Sequence, residues 1–136
     1  MSRRRKAREL ALQTLYAEQV SGADWKVALK ENAERRRSSG ESVTYAGELI
    51  QHVVANKDHL DALISDTLEN WTLDRVSIVD RTILRIALAE LLYVPRTPTK
   101  VIIDEAIEIA YAFSSRDAGR FINGILDRLA KEVRDH

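Results

Sequence analysis

The chain has 136 residues, of which 45% are hydrophobic and 31% are charged. This balance favours one globular domain over residues 1–136 and argues against a disordered chain. There is no cysteine, which excludes disulfide scaffolds, thiolate metal sites and thiol nucleophiles. The 21 basic and 21 acidic residues balance, but residues 1–40 hold ten Lys and Arg against five Asp and Glu. Positive charge is therefore concentrated at one end, as in proteins that bind an anionic partner.

No targeting or membrane segment is visible. The arginines at the start of the chain are followed by no apolar stretch, so they do not form a secretory signal. The longest apolar run, residues 83–94, is interrupted by Arg85 and Glu90 and is shorter than the roughly 18 residues of a membrane span. We therefore expect a cytoplasmic protein.

Apolar residues recur at the three- and four-residue spacing of helices along nearly the whole chain, without a sustained β alternation. The fifth helical stretch is apolar on most of its circumference, which predicts a central helix packed on several sides. Pro95 and Pro98 end it. We expect an all-α bundle of about seven helices. The predicted helices span residues 2–20, 24–37, 42–56, 58–68, 77–94, 99–113 and 116–134.

Three local features carry more specific predictions. Ser2 and Ser42 are the expected N-caps of the first and third helices. Gly124 lies inside the apolar stripe of the last helix, where glycine costs about 1 kcal/mol relative to alanine, so we expect a neighbouring helix to approach closely there. Phe121 shares a helix face with Ile125, which favours the core. It could also be a rim aromatic on which a base stacks.

The first helix begins with a dense basic cluster. On a helix, Arg4, Arg5 and Arg8 form one positive face. Cations at a helix N-terminus oppose the macrodipole at about 0.3–1 kcal/mol each, so helix stability does not explain them. Phosphate binding explains the basic residues at this position, because guanidinium groups bind phosphate bidentately. The alternatives are a solvated face and a membrane surface or other acidic partner. The cluster comprises Arg3, Arg4, Arg5, Lys6 and Arg8.

Other candidates for chemistry are weak. Asp104, Glu105 and Glu108 share one helix face and could be acid/base groups or ligands of a hard metal ion, but a solvated face explains them better. The three histidines are not spaced as metal ligands, and no nucleophile motif or phosphate-binding loop occurs. We expect no enzyme activity, no metal and no cofactor.

Four blocks occur in a characteristic order along essentially the whole chain. The blocks are residues 3–9 followed by Leu15 and Tyr16, residues 79–87 followed by Glu90 and Leu91, residues 104–110, and residues 121–127. Together they resemble the NusB family of bacterial transcription antitermination factors. A related helical module also precedes the catalytic domain of some rRNA cytosine methyltransferases. An accessory domain of that type and a structural protein–protein adaptor are the alternatives.

The resemblance implies seven helices in two sub-bundles. It also implies binding of the boxA element of ribosomal RNA leader transcripts together with NusE, a ribosomal protein, in an antitermination complex with RNA polymerase. Some members self-associate, so the resemblance also allows a homodimer. Members often carry glycine after the aromatic residue that ends the sixth helix, where this chain has Ser114.

The resemblance assigns roles to individual residues. The basic cluster from Arg3 to Arg8 corresponds to the family's RNA-binding motif. Asp117, Arg120 and Phe121 correspond to further positions that touch RNA, with the aromatic ring available to stack on a base. Tyr16 and Asp80 correspond to positions that face NusE.

Overall fold

All seven stretches with helical periodicity form helices. The structure is a computed structural model and describes residues 3–134, except for the side chain of Arg3. Within these residues there is no β-strand, and the all-α prediction is confirmed. A short 3-10 helix that periodicity did not predict precedes the fifth helix. The bounds are α1 Arg3–Ser21, α2 Trp25–Arg36, α3 Gly40–Ala55, α4 Lys57–Thr67, the 3-10 helix Leu73–Arg75, α5 Ile78–Tyr93, α6 Thr99–Phe113 and α7 Arg116–Val133.

Helix α5 is the centre of the molecule. It contacts α1 and α3 on one side and α4, α6 and α7 on the other. Helices α1, α2 and α3 also pack on one another, and α4, α6 and α7 form the second group around α5. Every residue from Thr82 to Leu91 is buried, so the prediction of a central helix is confirmed. None of the helices in residues 3–134 is long and apolar enough to cross a bilayer.

The buried stripes are narrower than the periodicity predicted. The apolar spacing predicts that Tyr16, Val20, Val54 and Phe113 lie on the buried faces of their helices, but all four are exposed. Leu10 lies outside the apolar stripe predicted for α1 (positions 7, 11, 12, 15, 16 and 20), yet it is fully buried because α2 and α3 both pack on α1. The core therefore follows the positions of the neighbouring helices more closely than the apolar pattern of each helix alone.

Helix α3 begins earlier than predicted. Ser39, not Ser42, is its N-cap, since the Ser39 side chain accepts a hydrogen bond from the backbone N–H of Ser42 at 3.1 Å. The predicted cap Ser42 lies in the first turn, where its side chain is buried. The other predicted cap, Ser2, falls outside the described residues.

The prediction for Gly124 was wrong. Gly124 is exposed, and no atom lies within 4 Å of the position that a Cβ would take. The close approach occurs at Gly119, where a Cβ would overlap the ring of Tyr111 on α6. Ser114, at the position where the family often has glycine, has a φ of −131°. Because this φ is negative, the loop between α6 and α7 does not need the positive φ that favours glycine.

Arg134 joins the end of α5 to the loop that follows it. Its guanidinium group donates hydrogen bonds to the carbonyl oxygens of Leu91 at 2.8 Å, Val94 at 3.1 Å and Thr97 at 2.7 Å, and more weakly to that of Glu90 at 3.3 Å. The last carbonyls of a helix have no partner within the helix. Arg134 supplies a donor to the Leu91 carbonyl and a second donor to that of Glu90, which already accepts from the Val94 N–H. Through Val94 and Thr97 it also orders the turn towards α6.

We expect Arg134→Ala to lower the free energy of unfolding by about 1–3 kcal/mol, because hydrogen bonds from a charged donor are lost and the carbonyl groups of Leu91 and Thr97 lose this donor. Urea denaturation followed by helical circular dichroism measures this change. Arg128→Ala is the matched control, since Arg128 is exposed and pairs with the exposed Glu69. It should change stability by no more than about 0.5 kcal/mol. Equal losses in the two variants would contradict the assigned role of Arg134.

Candidate nucleic-acid interface

Of the cations in the first two turns of α1, some lie at the surface and others are buried. Arg4 and Lys6 are exposed, and Arg5 retains 26% of its side-chain exposure. Arg5 Nε donates a hydrogen bond to Glu105 Oε1 on α6 at 2.9 Å. This hydrogen bond lowers the pKa of Glu105 and raises the pKa of Arg5. Arg4 and Lys6 are therefore the cations most open to an anionic partner among the described side chains of this cluster.

The expectation that Arg8 shares an exposed positive face was wrong. Only 4% of its side chain is accessible, because position 8 belongs to the same stripe of α1 as the buried Leu12 and Leu15. Its Nε and Nη2 atoms donate to the two carboxylate oxygens of Glu90 on α5, at 2.8 and 2.6 Å. A guanidinium group held in this way is not available to bind phosphate.

Tyr45 on α3 completes a buried network with this ion pair. Its hydroxyl donates to Glu90 Oε2 at 2.7 Å. Burial raises the pKa of Tyr45. Burial opposes the charge on Arg8, but the hydrogen bond and negative charge of Glu90 outweigh it and raise the pKa of Arg8. We call these three residues the Arg8–Glu90–Tyr45 network. It connects α1, α3 and α5 beneath the exposed cations.

The network also fixes the position of Arg4. The guanidinium carbon of Arg4 lies 3.7 Å from the centroid of the Tyr45 ring, which is a close cation–π contact. Because the Tyr45 hydroxyl is bound to Glu90, the ring beneath Arg4 has a fixed orientation. An exposed arginine is thereby held over an ordered surface, and less side-chain freedom is lost when it binds an anion.

The acidic group on α6 is not simply a solvated face. Glu105 is 15% exposed and binds Arg5, and its Oε1 also lies 3.4 Å from Arg8 Nη1. Asp104 pairs with the exposed Lys100, and Glu108 is exposed. Within residues 3–134 no three His, Asp or Glu side chains are grouped so as to hold a metal ion.

The candidate residues of α7 lie at a different place along the molecule. Asp117 and Arg120 are exposed, and Phe121 is half-buried, with part of its ring packed on the core. Arg5 binds Glu105 on α6, and Gly119 of α7 abuts Tyr111 on the same helix. The six residues from Glu105 to Tyr111 correspond to about 9 Å of helix. The candidate residues therefore form two groups, at the starts of α1 and α7, and both adjoin α6.

Tyr16 lies in a third location, an open groove on the α1 side of the molecule. Tyr16 is 42% exposed, and Val79 in the first turn of α5 lines the same groove. The next residue, Asp80, is half-buried, and its Oδ1 atom is buried without a hydrogen-bond partner among the described residues. We call this the Tyr16 groove. Its lining residues are Leu12, Gln13, Tyr16, Asn32, Arg35, Val79 and Phe113.

Tyr45, Glu90 and Glu105 were not predicted as parts of the interface. One signal was available for Glu90, because a carboxylate inside a helix that is apolar all round must find a cationic partner when it is buried. The sequence did not show which cation that would be. The apolar spacing of α3 predicts that Tyr45 is buried, as it is, but nothing in the pattern indicated a contact with Arg4.

We expect Glu90→Ala to lower the free energy of unfolding by about 3–5 kcal/mol, because it leaves the Arg8 charge buried without a partner. The double variant Arg8→Met with Glu90→Leu should lose less than the sum of the two single losses. The exposed pair Arg96–Glu48 is the matched control, and its removal should cost at most about 1 kcal/mol. Urea denaturation of the set checks this, and additive losses at Arg8 and Glu90 would refute the pairing.

Comparisons with known proteins agree with this architecture. The sequence model of the NusB family matches residues 5–131. The transcription antitermination protein NusB of Geotalea uraniireducens (strain Rf4) is 42% identical over 143 residues, which cover 99% of each chain. The corresponding protein of Myxococcus xanthus (strain DK1622) is 39% identical over 134 residues, which cover 96% of each chain.

Solved structures show the same fold. The structure of T. maritima NusB aligns with a TM-score of 0.88 and 38% identity, over 95% of this chain and 91% of that chain. A chain in the crystal structure of the antitermination factors NusB and NusE in complex with dsRNA aligns with a TM-score of 0.89 and 26% identity, over 97% and 98% of the two chains. The family match over nearly the whole sequence, together with these likenesses, shows that this chain belongs to the NusB family of transcription antitermination proteins.

Proposed function

We propose that the protein is an RNA-binding transcription antitermination factor. It binds boxA RNA of ribosomal RNA leader transcripts together with NusE, and the pair helps RNA polymerase pass terminators. The observation that carries the proposal is the exposed Arg4 held over Tyr45 beside the exposed Lys6. The related structure that contains NusB, NusE and dsRNA supports the same assignment. In this proposal the chain acts in the cytoplasm as one domain without catalysing a reaction.

The exposed cations of α1 supply phosphate contacts in this proposal. Arg4 and Lys6 bind the RNA backbone, and Arg5 contributes with the part of its side chain that Glu105 leaves open. Arg3 is assigned the same role because it directly precedes Arg4 in the sequence. Arg8 contributes indirectly, because its ion pair with Glu90 holds α1 and the Tyr45 ring in position. Such contacts give affinity and salt dependence without sequence preference.

The start of α7 supplies base contacts. Asp117 can accept hydrogen bonds from a base, Arg120 can donate them, and Phe121 exposes part of its ring for stacking. Sequence-specific recognition of RNA usually depends on unstacked bases that are bound in this way. Both groups adjoin helix α6, at Glu105 and at Tyr111, which are about 9 Å apart along the helix, so one RNA strand can contact both.

We expect Arg4→Ala to weaken binding of a boxA RNA and of a scrambled RNA to a similar degree, because a phosphate contact carries no sequence information. The slope of log affinity against log salt should fall by about 0.7, the value for one phosphate contact on a single strand. Fluorescence anisotropy over a salt series measures both quantities.

Arg75→Ala removes an exposed charge from the segment between α4 and α5 and is the control for net charge. An unchanged slope for Arg4→Ala would remove Arg4 from the interface. Weak binding of the wild-type protein to both RNAs, independent of salt, would instead favour a protein–protein adaptor.

The Tyr16 groove is the NusE-binding surface in this proposal. It combines a half-exposed aromatic ring, which is typical of interface centres, with the neighbouring Asp80. Asp80, which is half-buried beside the groove, adds a carboxylate that can accept a charge-assisted hydrogen bond from the partner.

We expect Asp80→Lys to weaken NusE binding at least tenfold, because it replaces the acceptor with a longer, positively charged side chain. Binding of RNA by the chain alone should stay within about twofold of the wild-type value, since Asp80 is remote from the proposed phosphate contacts. Isothermal titration with purified NusE measures the first quantity. Asp66→Lys, an exposed substitution on α4, is the control. NusE binding at wild-type strength by Asp80→Lys would contradict the assignment.

A further inference from the structure

Helix α2 brings a second group of cations next to α1. It ends in three consecutive arginines, residues 35–37. Arg36 Nη2 donates a hydrogen bond to Glu9 Oε1 at 2.7 Å, and Arg36 Nη1 donates to Gln13 Oε1 at 3.2 Å. Glu9 lies three residues after Lys6, one turn along α1. The end of α2 is therefore continuous with the exposed cations at the start of α1.

The backbone conformation of Arg37 is unusual. It has φ 54° and ψ 46°, which is left-handed, and no other non-glycine residue with a described backbone has a positive φ. Its N–H donates to the Glu34 carbonyl at 3.1 Å, and the N–H of Ser38 donates to the Ala33 carbonyl at 2.9 Å. This pair of hydrogen bonds is the Schellman motif, whose left-handed position is usually glycine.

The side chain of Arg37 offers no compensation for this conformation. It is exposed, and it makes no hydrogen bond or ion pair with the part of the chain that the structure describes. Favourable interaction with the helix dipole is already provided by the two arginines of the last turn. A left-handed non-glycine residue whose side chain makes no contact that offsets the strain is a candidate functional residue.

Two lysines of α2 lie near Arg37. Positions 26 and 30 are one turn apart on α2, and Arg37, just after the end of the helix, lines the same groove. Lys26, Lys30 and Arg37 line a shallow groove between α2 and α3, with apolar side chains at its base. Glu34 is the one carboxylate that also lines it. We call this the α2 groove. Its net positive charge suits a chain of phosphates.

We propose that the α2 groove binds the phosphate backbone of an RNA segment that flanks the segment bound at the start of α1. The inference rests on the proposed RNA-binding function and extends it to a surface outside the basic cluster of α1. Continuity between the two surfaces through the Arg36–Glu9 contact favours one RNA strand that crosses both. The cations of the groove follow the direction of a strand, and the contacts are independent of its base sequence.

The test compares two labelled single-stranded RNAs, a boxA RNA and the same RNA extended by about ten nucleotides at either end. Arg37→Gly should bind the extended RNA about three- to tenfold more weakly than the wild type, with a salt slope smaller by about 0.7. It should bind the short RNA as the wild type does. Its melting temperature should not fall, because glycine adopts the left-handed conformation without strain.

Two further variants serve as controls. Arg37→Lys keeps the charge and should bind the extended RNA within about twofold of the wild type, and so should Arg75→Ala, which removes an exposed charge elsewhere. Wild-type affinity and slope in Arg37→Gly would overturn the inference, as would an equal loss on both RNAs, an equal loss in Arg75→Ala or a lower melting temperature. A wild-type protein that shows no salt-dependent binding to either RNA would instead refute the proposed function.

Discussion

The ion pair between Arg8 and Glu90 is the interaction on which the arrangement of this molecule depends. It joins α1 to the central helix α5 at a point where both side chains are almost fully buried, at 4% and 1% exposure. Such a pair contributes little net stability, because desolvation offsets most of the attraction, but it strongly disfavours any packing that separates the two charges. The register of α1 against α5 is therefore fixed by electrostatics as well as by the fit of apolar side chains.

That register determines which cations of α1 reach the surface. With Arg8 directed inwards, Arg4 lies over the Tyr45 ring and Lys6 faces the solvent. Arg5 takes an intermediate position and shares its guanidinium group with Glu105. A run of similar basic residues is thus divided between stabilisation of the helix packing and recognition of an anion. Replacement of Arg8 therefore tests helix packing, whereas replacement of Arg4 tests the recognition of an anion.

Most of the fold could be predicted from the sequence, because helix periodicity and terminal signals are local. Residues 99–113 form a helix with the predicted bounds, and α5 is as central as its apolar circumference indicated. The burial of Arg8 could not be predicted, because its partner lies 82 residues away. Gly124 and Gly119 also show that contacts between helices could not be predicted from the sequence. A glycine in a helix suggests a close neighbour, but only the packing of α6 shows that Gly119 is the one approached.

The 82 residues between Arg8 and Glu90 also have a consequence for synthesis on the ribosome. Translation adds about 5–20 residues per second, so roughly 4–16 seconds pass between the two. During that interval a nascent chain that carries only α1 to α3 has a cation at position 8 that is still hydrated and can meet cellular polyanions. Completion of α5 withdraws this cation from the solvent. The growing polypeptide therefore exposes the Arg8 guanidinium group, which the finished molecule buries.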